Sequence, residues 1–385
     1  MLSPVQSSAK SALLVHRATP VSSGILSWIV SPGWDLCWFL SGLWLPLLVF
    51  LPVDWSEPLL WAVTLCLWIA HRLSSAYLAW CVPEYAAVVK QRLRYFVGLP
   101  LLLFVGLALW LLPSEALLPI PRVWRLALVA VIDYFWAIYH FARQHYGVLS
   151  IYRSRQRQVS SSKAIVPLLR WDHYVCFAVS GGVSLVMDLH YGAFDPLRVW
   201  TGWLSGGLWT GQASLLKGGL SVGVILLWGL TLWRYRQHQH SVPRMLYASS
   251  LCVLTLVSLY VPPVLYFVLL QIQHWLVSLG LTQSMTRRSQ QVIETPWYRF
   301  WSMINARAWG ALGVLVLLSL GLTRFLEADA QLLDQLPAMQ LQGGLGLYIA
   351  ATLAFWSAAV HYLYDRGVFR FSDATVRKAA GPLLF

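Results

Sequence analysis

The sequence predicts an all-α fold, a polytopic integral membrane bundle of about ten transmembrane helices with both termini on the cytoplasmic side. Composition is the first reason. Of 385 residues, 58% are hydrophobic and 11% charged, where soluble globular domains carry roughly a quarter charged residues, and the mean hydropathy is +0.61. Length is the second: ten apolar stretches approach the roughly 20 residues that a bilayer core of about 30 Å requires. The third is an alternation of charge between the connecting segments. Together they argue against a water-soluble enzyme and exclude a disordered or collagenous chain.

Residues 1–34 read as a cytoplasmic tail, Ser- and Ala-rich with Lys10, His16 and Arg17. No compact apolar core precedes a small-residue cleavage site, so no secretory signal is expected. Trp28 and Trp34 enter the interface, and Asp35 can N-cap the first span. The bundle occupies 35–365, with spans at 35–52, 59–82, 96–112, 123–142, 171–189, 213–233, 245–261, 264–284, 308–324 and 345–364. The fifth holds Asp172, His173 and a Gly pair, and a Gly/Trp-rich stretch precedes the sixth, so these two are the least regular. In the cytoplasmic segment 285–307, Pro296 can start a helix. Trp297, Phe300, Trp301 and Ile304 then recur at i, i+3, i+4 and i+7 beside Arg299 and Arg307. That pattern reads as an amphipathic helix on the inner leaflet, with a packed cytoplasmic loop as the alternative. Residues 366–385 form a basic cytoplasmic tail.

Charge orients these elements. The N-terminal tail, the alternate loops and the C-terminal tail hold 22 of the 28 Lys and Arg residues, while the intervening segments hold Asp54, Glu57, Glu115, Asp188, Asp195, Glu327, Asp329 and Asp334. Lys and Arg mark the cytoplasmic face. The net charge of +13 therefore reports topology and contact with anionic membrane lipids. A nucleic-acid partner is not expected, because it would call for one focused basic patch. Nothing in the pattern points to a particular oligomeric state. The 22 Trp suit the membrane interface, or an aromatic-walled site for a lipid-soluble substrate. Cys37, Cys66, Cys81, Cys176 and Cys252 lie in or beside apolar spans with no C-x-x-C spacing, as buried small hydrophobes do.

The polar residues inside the spans carry the chemistry. An ionisable side chain at the centre of a span costs about 2.5–3.5 kcal/mol, so it needs a partner or a purpose. Counted along the oriented spans, His71, His140, His145, His173, His274 and His361 all fall in the cytoplasmic half. Asp133, Trp136, His140 and Gln144 lie on one face of the fourth span. His145 is turned about 140° from His140 and cannot share its ion unless the helix ends or distorts. His361 and Asp365 are i, i+4 and can face one site, and Gln271, His274 and Ser278 form a polar stripe on the eighth span.

Such a set suits a metal, iron first, with haem or copper as alternatives. His71, His140, His274 and His361 are the expected ligands, His145 a further ligand, and Asp365 a ligand or a hydrogen-bond support for one. Asp365 and His145 are the candidates for direct contact with reacting atoms. Arg72, Arg143 and Gln144 stand near the same level, where the guanidinium groups can snorkel to headgroups or hold a lipid phosphate or a propionate. The competing reading is that each histidine bonds a backbone carbonyl or Ser on a neighbouring helix.

Two stretches carry a resemblance. Arg143-Gln144-His145-Tyr146-Gly147 with Tyr152-Arg153, and His361-Tyr362-x-x-Asp365-x-x-x-Phe369-Arg370 with Arg377, resemble a group of bacterial polytopic membrane proteins. Some of that group are labelled β-carotene 15,15'-monooxygenase-like, after the Brp/Blh carotene-cleaving membrane oxygenases. The similar part spans about 40 residues. His145-Tyr146-Gly147 is similar to that family's His-Phe-Gly element, while its further His-Gly element and the His boxes of fatty-acid desaturases have no counterpart here. The resemblance implies a bacterial inner-membrane location and a membrane oxygenase.

The function expected is a metal-dependent membrane oxidoreductase whose lipid-soluble substrate enters laterally from the inner leaflet. A proton-coupled transporter or channel would place polar residues through the whole depth and broken helices in two related halves. The outer halves here read as mostly apolar, with no visible repeat. A non-catalytic lipid-binding or assembly protein with structural histidines is the third class.

Overall fold

The computed structural model describes residues 27–50, 57–159, 169–191, 213–289, 295–334 and 345–384. The expectations for the first 26 residues and for the Gly/Trp-rich stretch 192–212 lie outside these. Among the described residues every regular element is helical. Three helices, Arg94–Leu111, Arg122–Arg157 and Ala213–Gln237, are long and apolar enough to cross a membrane. Two bent pairs reach that length only as single broken spans: Ala62–Cys81 with Pro83–Gln91, bent by 72°, and Pro296–Asn305 with Gly310–Leu322, bent by 101°.

The first expected span, 35–52, is not one helix. Helix α1 (Pro32–Trp38) gives way to a single 3-10 turn, Ser41–Leu43, and then to α2 (Leu45–Leu48). Pro46 has no N–H with which to continue a helix from α1. Gly42 lies so close to the neighbouring helix that a Cβ there would stand 2.5 Å from the Ser250 carbonyl oxygen. Ser31, not Asp35, caps α1, its hydroxyl accepting from the Trp34 N–H. Asp35 is fully buried and reaches back instead, accepting from the N–H groups of Ile29 and Val30 and from the Tyr152 hydroxyl. Residues 27–34, read as tail, thus begin the packed body, with Ile29 in its core.

Helix α3 (Glu57–Cys81) stops two residues before Pro83, and α4 (Ala86–Gln91) follows at the bend. A π-helical turn, Arg94–Gly98, runs into α5 (Leu99–Leu111). Helix α6 (Arg122–Val159) has 38 residues, about 57 Å at 1.5 Å per residue. It therefore outruns the span expected at 123–142 and keeps His140 and His145 on one continuous helix. Helices α7 (Leu169–Cys176) and α8 (Val183–Tyr191) are joined by a π-helical turn, Phe177–Gly182. The remaining helices are α9 (Ala213–Gln237), α10 (Val242–Ser258), α11 (Pro263–Arg287), α12 (Pro296–Asn305), α13 (Gly310–Asp334), α14 (Leu345–Phe369) and α15 (Ala374–Leu384).

Helix α3 is the centre of the packing. It lies against α11, α13 and α14, and α14 in turn packs on α5 and α6. Helices α5 and α9 turn Leu101, Leu102 and Val105, and Val222, Ile225 and Leu226, outward, which suits contact with lipid.

The amphipathic pattern at 296–304 does form a helix, α12, with Trp297, Phe300 and Met303 exposed. Its C-terminus is held by Asn305, which accepts from the Tyr77 hydroxyl and donates to the Cys81 carbonyl. The bend into α13 brings the chain so close to itself that a Cβ at Gly310 would stand 1.8 Å from the Ile304 carbonyl oxygen. The segment 374–384, read as basic tail, forms α15. Val376, Ala379, Ala380, Leu383 and Leu384 recur at helical spacing and are buried, so the chain end docks on α11 and α14. All five cysteines are free.

Candidate metal centre

Four helices each bring one histidine to the same place: His71 from α3, His140 from α6, His274 from α11 and His361 from α14. All are at most 9% exposed. Their rings form a closed loop. Centroids of His71 and His361 are 4.3 Å apart, His361 and His140 4.9 Å, His140 and His274 5.3 Å, and His274 and His71 4.6 Å. Across the loop, His71 and His140 are 6.3 Å apart. Two imidazoles on one ion, with metal–nitrogen bonds of about 2.1 Å, have centroids roughly 4.5–5.3 Å apart when adjacent and about 6.4 Å when opposite. The arrangement matches that scale.

The donor atoms agree. One ring nitrogen from each of His71, His140 and His361 lies within 4.8 Å of the others, and the Nε2 atoms of His140 and His361 are 3.2 Å apart. Asp365, one turn after His361, places Oδ2 3.4 Å from His140 Nε2 and 3.8 Å from His361 Nε2. His71 Nδ1, His274 Nδ1 and Asp365 Oδ1 are buried with no hydrogen-bond partner among the described residues. Buried polar atoms are nearly always satisfied. Several unsatisfied ones around a ring of imidazoles fit a cation, so these three histidines could hold a metal ion, with His274 and Asp365 beside them.

Neighbouring groups orient the rings. Ser75 Oγ lies 3.2 Å from His361 Nδ1, and Gln144 donates to the His274 carbonyl oxygen at 2.9 Å, fixing α6 to α11. Ser74 donates to the His71 carbonyl oxygen and lies 3.1 Å from the Ser278 hydroxyl. The second turn of the α11 stripe therefore serves helix packing.

The other expected residues lie farther out. Because α6 is unbroken, His145 points away from His140 and falls outside the group of converging nitrogens. Its Nδ1 pairs with the Tyr247 hydroxyl at 2.7 Å, and Phe141 packs against both His145 and His274. His173 stacks on Phe177, away from the ring. Arg72 does not reach outward. Its guanidinium donates to the Ala354 carbonyl and the Ser357 hydroxyl, and lies 3.7 Å over the Trp68 ring. Arg143 stacks over Tyr146.

A cavity of about 320 Å³ opens from the ring, bordered by His71, Arg72, His140, His274 and His361, whereas Arg143, Gln144 and His145 do not line it. Its far end holds Tyr134, Asp188 and Tyr266, and the Tyr134 hydroxyl donates to the Asp188 carboxylate. Sequence reasoning missed this end. Asp188 was expected in an outer loop, but it lies on α8, is 5% exposed and lines the cavity. A signal was present: Ser180, Ser184 and Asp188 recur every fourth residue, and all three line the cavity. No family model, no curated protein and no solved structure matches this chain.

Proposed function

We propose that the chain is a multi-pass protein of a bacterial inner membrane, with about ten spans and both termini in the cytoplasm, and that it is an iron-type metal-dependent oxidoreductase of the oxygenase class. Its substrate would be lipid-soluble. One observation carries this reading: buried imidazole nitrogens converge, some without partners, in the wall of a cavity. The outward-facing apolar helices and the alternating loop charge support the membrane placement.

A carboxylate beside three or four imidazoles favours iron over softer ions. A haem would need its plane clear between the opposed rings of His71 and His140, and His274 and His361 occupy that plane. Bound iron would supply the oxygen-activating chemistry. The chain's own part is to hold and shield it. Ser75 would set the His361 ring, Asp365 would offset the cation's charge, and Phe141 and Leu270 would keep water from the ring side of the cavity. The reactive end would lie in the cytoplasmic half, with the body of the substrate reaching outward toward Asp188.

The test is elemental analysis and visible spectroscopy of the purified protein beside His361→Ala. The expected result is iron at close to one ion per chain in the wild type and background in the variant. Equal background levels of iron, copper and zinc in both would sink the proposal. One contact favours a second reading. The 3.2 Å approach of His140 Nε2 to His361 Nε2, with Ser75 behind it, also suits a proton relay. Proton flux into vesicles containing the metal-free protein, lost in His361→Ala, would select that reading.

A further inference from the structure

The cavity has two unlike poles, and their separation limits what can fill it. One pole is the ring of imidazoles. The other is the carboxylate of Asp188, with the Tyr134 hydroxyl donating to it and the Tyr266 hydroxyl at the Ser184 carbonyl one turn earlier. On α6, six residues separate Tyr134 from His140, and on α11 eight residues separate Tyr266 from His274. These correspond to about 9 and 12 Å along the helix axes. Between the poles the lining is mainly apolar, with Ala137, Ile138, Phe141 and Leu270, interrupted by Ser180 and Gln271.

Asp188 is the informative residue. Asp188 is 5% exposed; its Oδ2 accepts from the Tyr134 hydroxyl, while its Oδ1 is buried with no partner among the described residues. A buried acceptor of this kind costs about 1–3 kcal/mol while unpaired, and here it borders an open volume. It calls for an O–H or N–H donor. Besides Asp188, the charged side chain lining the cavity is the Arg72 guanidinium. Asp188 Oδ1 could accept from an ammonium or a hydroxyl, and the hydroxyl is the donor that brings no further charge into a mainly apolar cavity.

We infer that the cavity binds a neutral apolar molecule, about 9–12 Å long, that carries one alcohol group. The alcohol donates to Asp188 Oδ1, and the opposite end of the molecule lies against the histidines. A volume of about 320 Å³ is at the small end of ligand pockets, so the class is a compact hydroxylated lipid rather than a long polyene. Its reaction rests on the proposed metal function, but its binding does not.

The experiment measures binding of a ten-carbon isoprenoid alcohol and of its methyl ether, by calorimetry, to the full chain in detergent. Wild type, chelator-treated wild type and Asp188→Leu are compared. The alcohol should bind wild type at least tenfold more tightly than the ether. That preference should fall below threefold in Asp188→Leu and persist after chelator treatment. If Asp188→Leu does not fold, Asp188→Ala, which removes both carboxylate oxygens with less added bulk, should show the same loss. Equal binding of alcohol and ether to wild type would overturn the inference, as would a preference that survives both Asp188 variants. A preference in protein that holds no metal would uphold the alcohol site while the metal reading fails. Bound metal without a preference would do the reverse.

Discussion

Two buried clusters of ionisable side chains stand close together in this fold, and their hydrogen bonding differs in kind. In the first, Asp172 on α7 is fully buried, one oxygen accepting from the Tyr235 hydroxyl and the other from the Arg244 guanidinium. Arg244 gives its other terminal nitrogen to His240 Nδ1 at 2.8 Å and lies over the Tyr235 ring. Both carboxylate oxygens and both terminal Arg244 nitrogens are paired, and only Arg244 Nε lacks a partner among the described residues. In the second, the imidazoles of His71, His140, His274 and His361 face one another, and nitrogens on His71 and His274 have no partner. The first cluster is an internal ion pair that fastens α7 to α10. The second leaves His71 Nδ1, His274 Nδ1 and Asp365 Oδ1 unpaired among the described residues, around nitrogens that could hold a metal ion. Burial alone would not separate them. The pairing of individual atoms does.

The largest effect should come from breaking the self-contained cluster. Arg244→Met leaves the Asp172 carboxylate buried without its cation, and loss of one partner of a buried pair costs about 3–5 kcal/mol. Thermal unfolding in detergent should show that loss. Metal content of the surviving folded protein should be unchanged. Asp172→Leu combined with Arg244→Met should recover much of the stability, because no charge is then stranded. A melting curve for Arg244→Met that overlays wild type would erase the distinction between the clusters.

The histidine ring should respond in the opposite way. His71→Ala removes a ring whose Nδ1 has no partner among the described residues, so the metal-free variant should unfold within about 1 kcal/mol of metal-free wild type. Adding iron at roughly a hundred times its dissociation constant should stabilise wild type by about 2.7 kcal/mol and leave the variant unmoved. An equal shift in both proteins would place the ion elsewhere.

This contrast was partly legible in the sequence. Counting depth from the loop charges gathered His71, His140, His145, His173, His274 and His361, of which His145 and His173 lie outside the ring, and the i, i+4 spacing joined Asp365 to His361. The same counting misassigned Asp188, because an acid near a span end reads as a loop residue, and the Ser180–Ser184–Asp188 stripe crosses a π-helical turn that periodicity does not register. Residues 35–52 read as one span, since apolar content is blind to the contact of Gly42 with the Ser250 carbonyl. The pairing of Asp172 with Arg244 joins residues 72 apart in sequence. No local pattern encodes which of several basic residues a buried carboxylate will meet.

A smaller effect should follow from the orientation of the ring. Ser75→Ala takes the partner from His361 Nδ1 and leaves Nε2 in place. Removing a group that orients a ligand lowers metal affinity by about 10–100-fold. A competition titration against a chelator would read this, with stoichiometry unchanged. Affinity equal to wild type would mean that packing alone, through Tyr362 and His71, holds the His361 ring.

The smallest effect lies at the edge of the ion-pair cluster, in the loop between α9 and α10. Burial, with Arg244 beside it, pushes the His240 imidazole down to about 3. Folded protein then keeps His240 neutral at pH values where the unfolded chain, near the ordinary 6.5, takes up a proton. Below 6.5 the unfolded state binds more protons, so stability rises with pH. The contribution is complete above pH 6.5 and is lost progressively as the pH falls toward 3. Partial solvent screening keeps the slope well below the limit of about 1.4 kcal/mol per pH unit. His240→Gln can still accept from Arg244 but does not titrate. Its stability relative to wild type should therefore improve steadily from pH 6.5 to 4.5. Acid effects on the histidine ring are common to both proteins and cancel in that difference. A difference that stays constant with pH would mean that water reaches His240, and with it the ion pair whose enclosure sets the first cluster apart from the second.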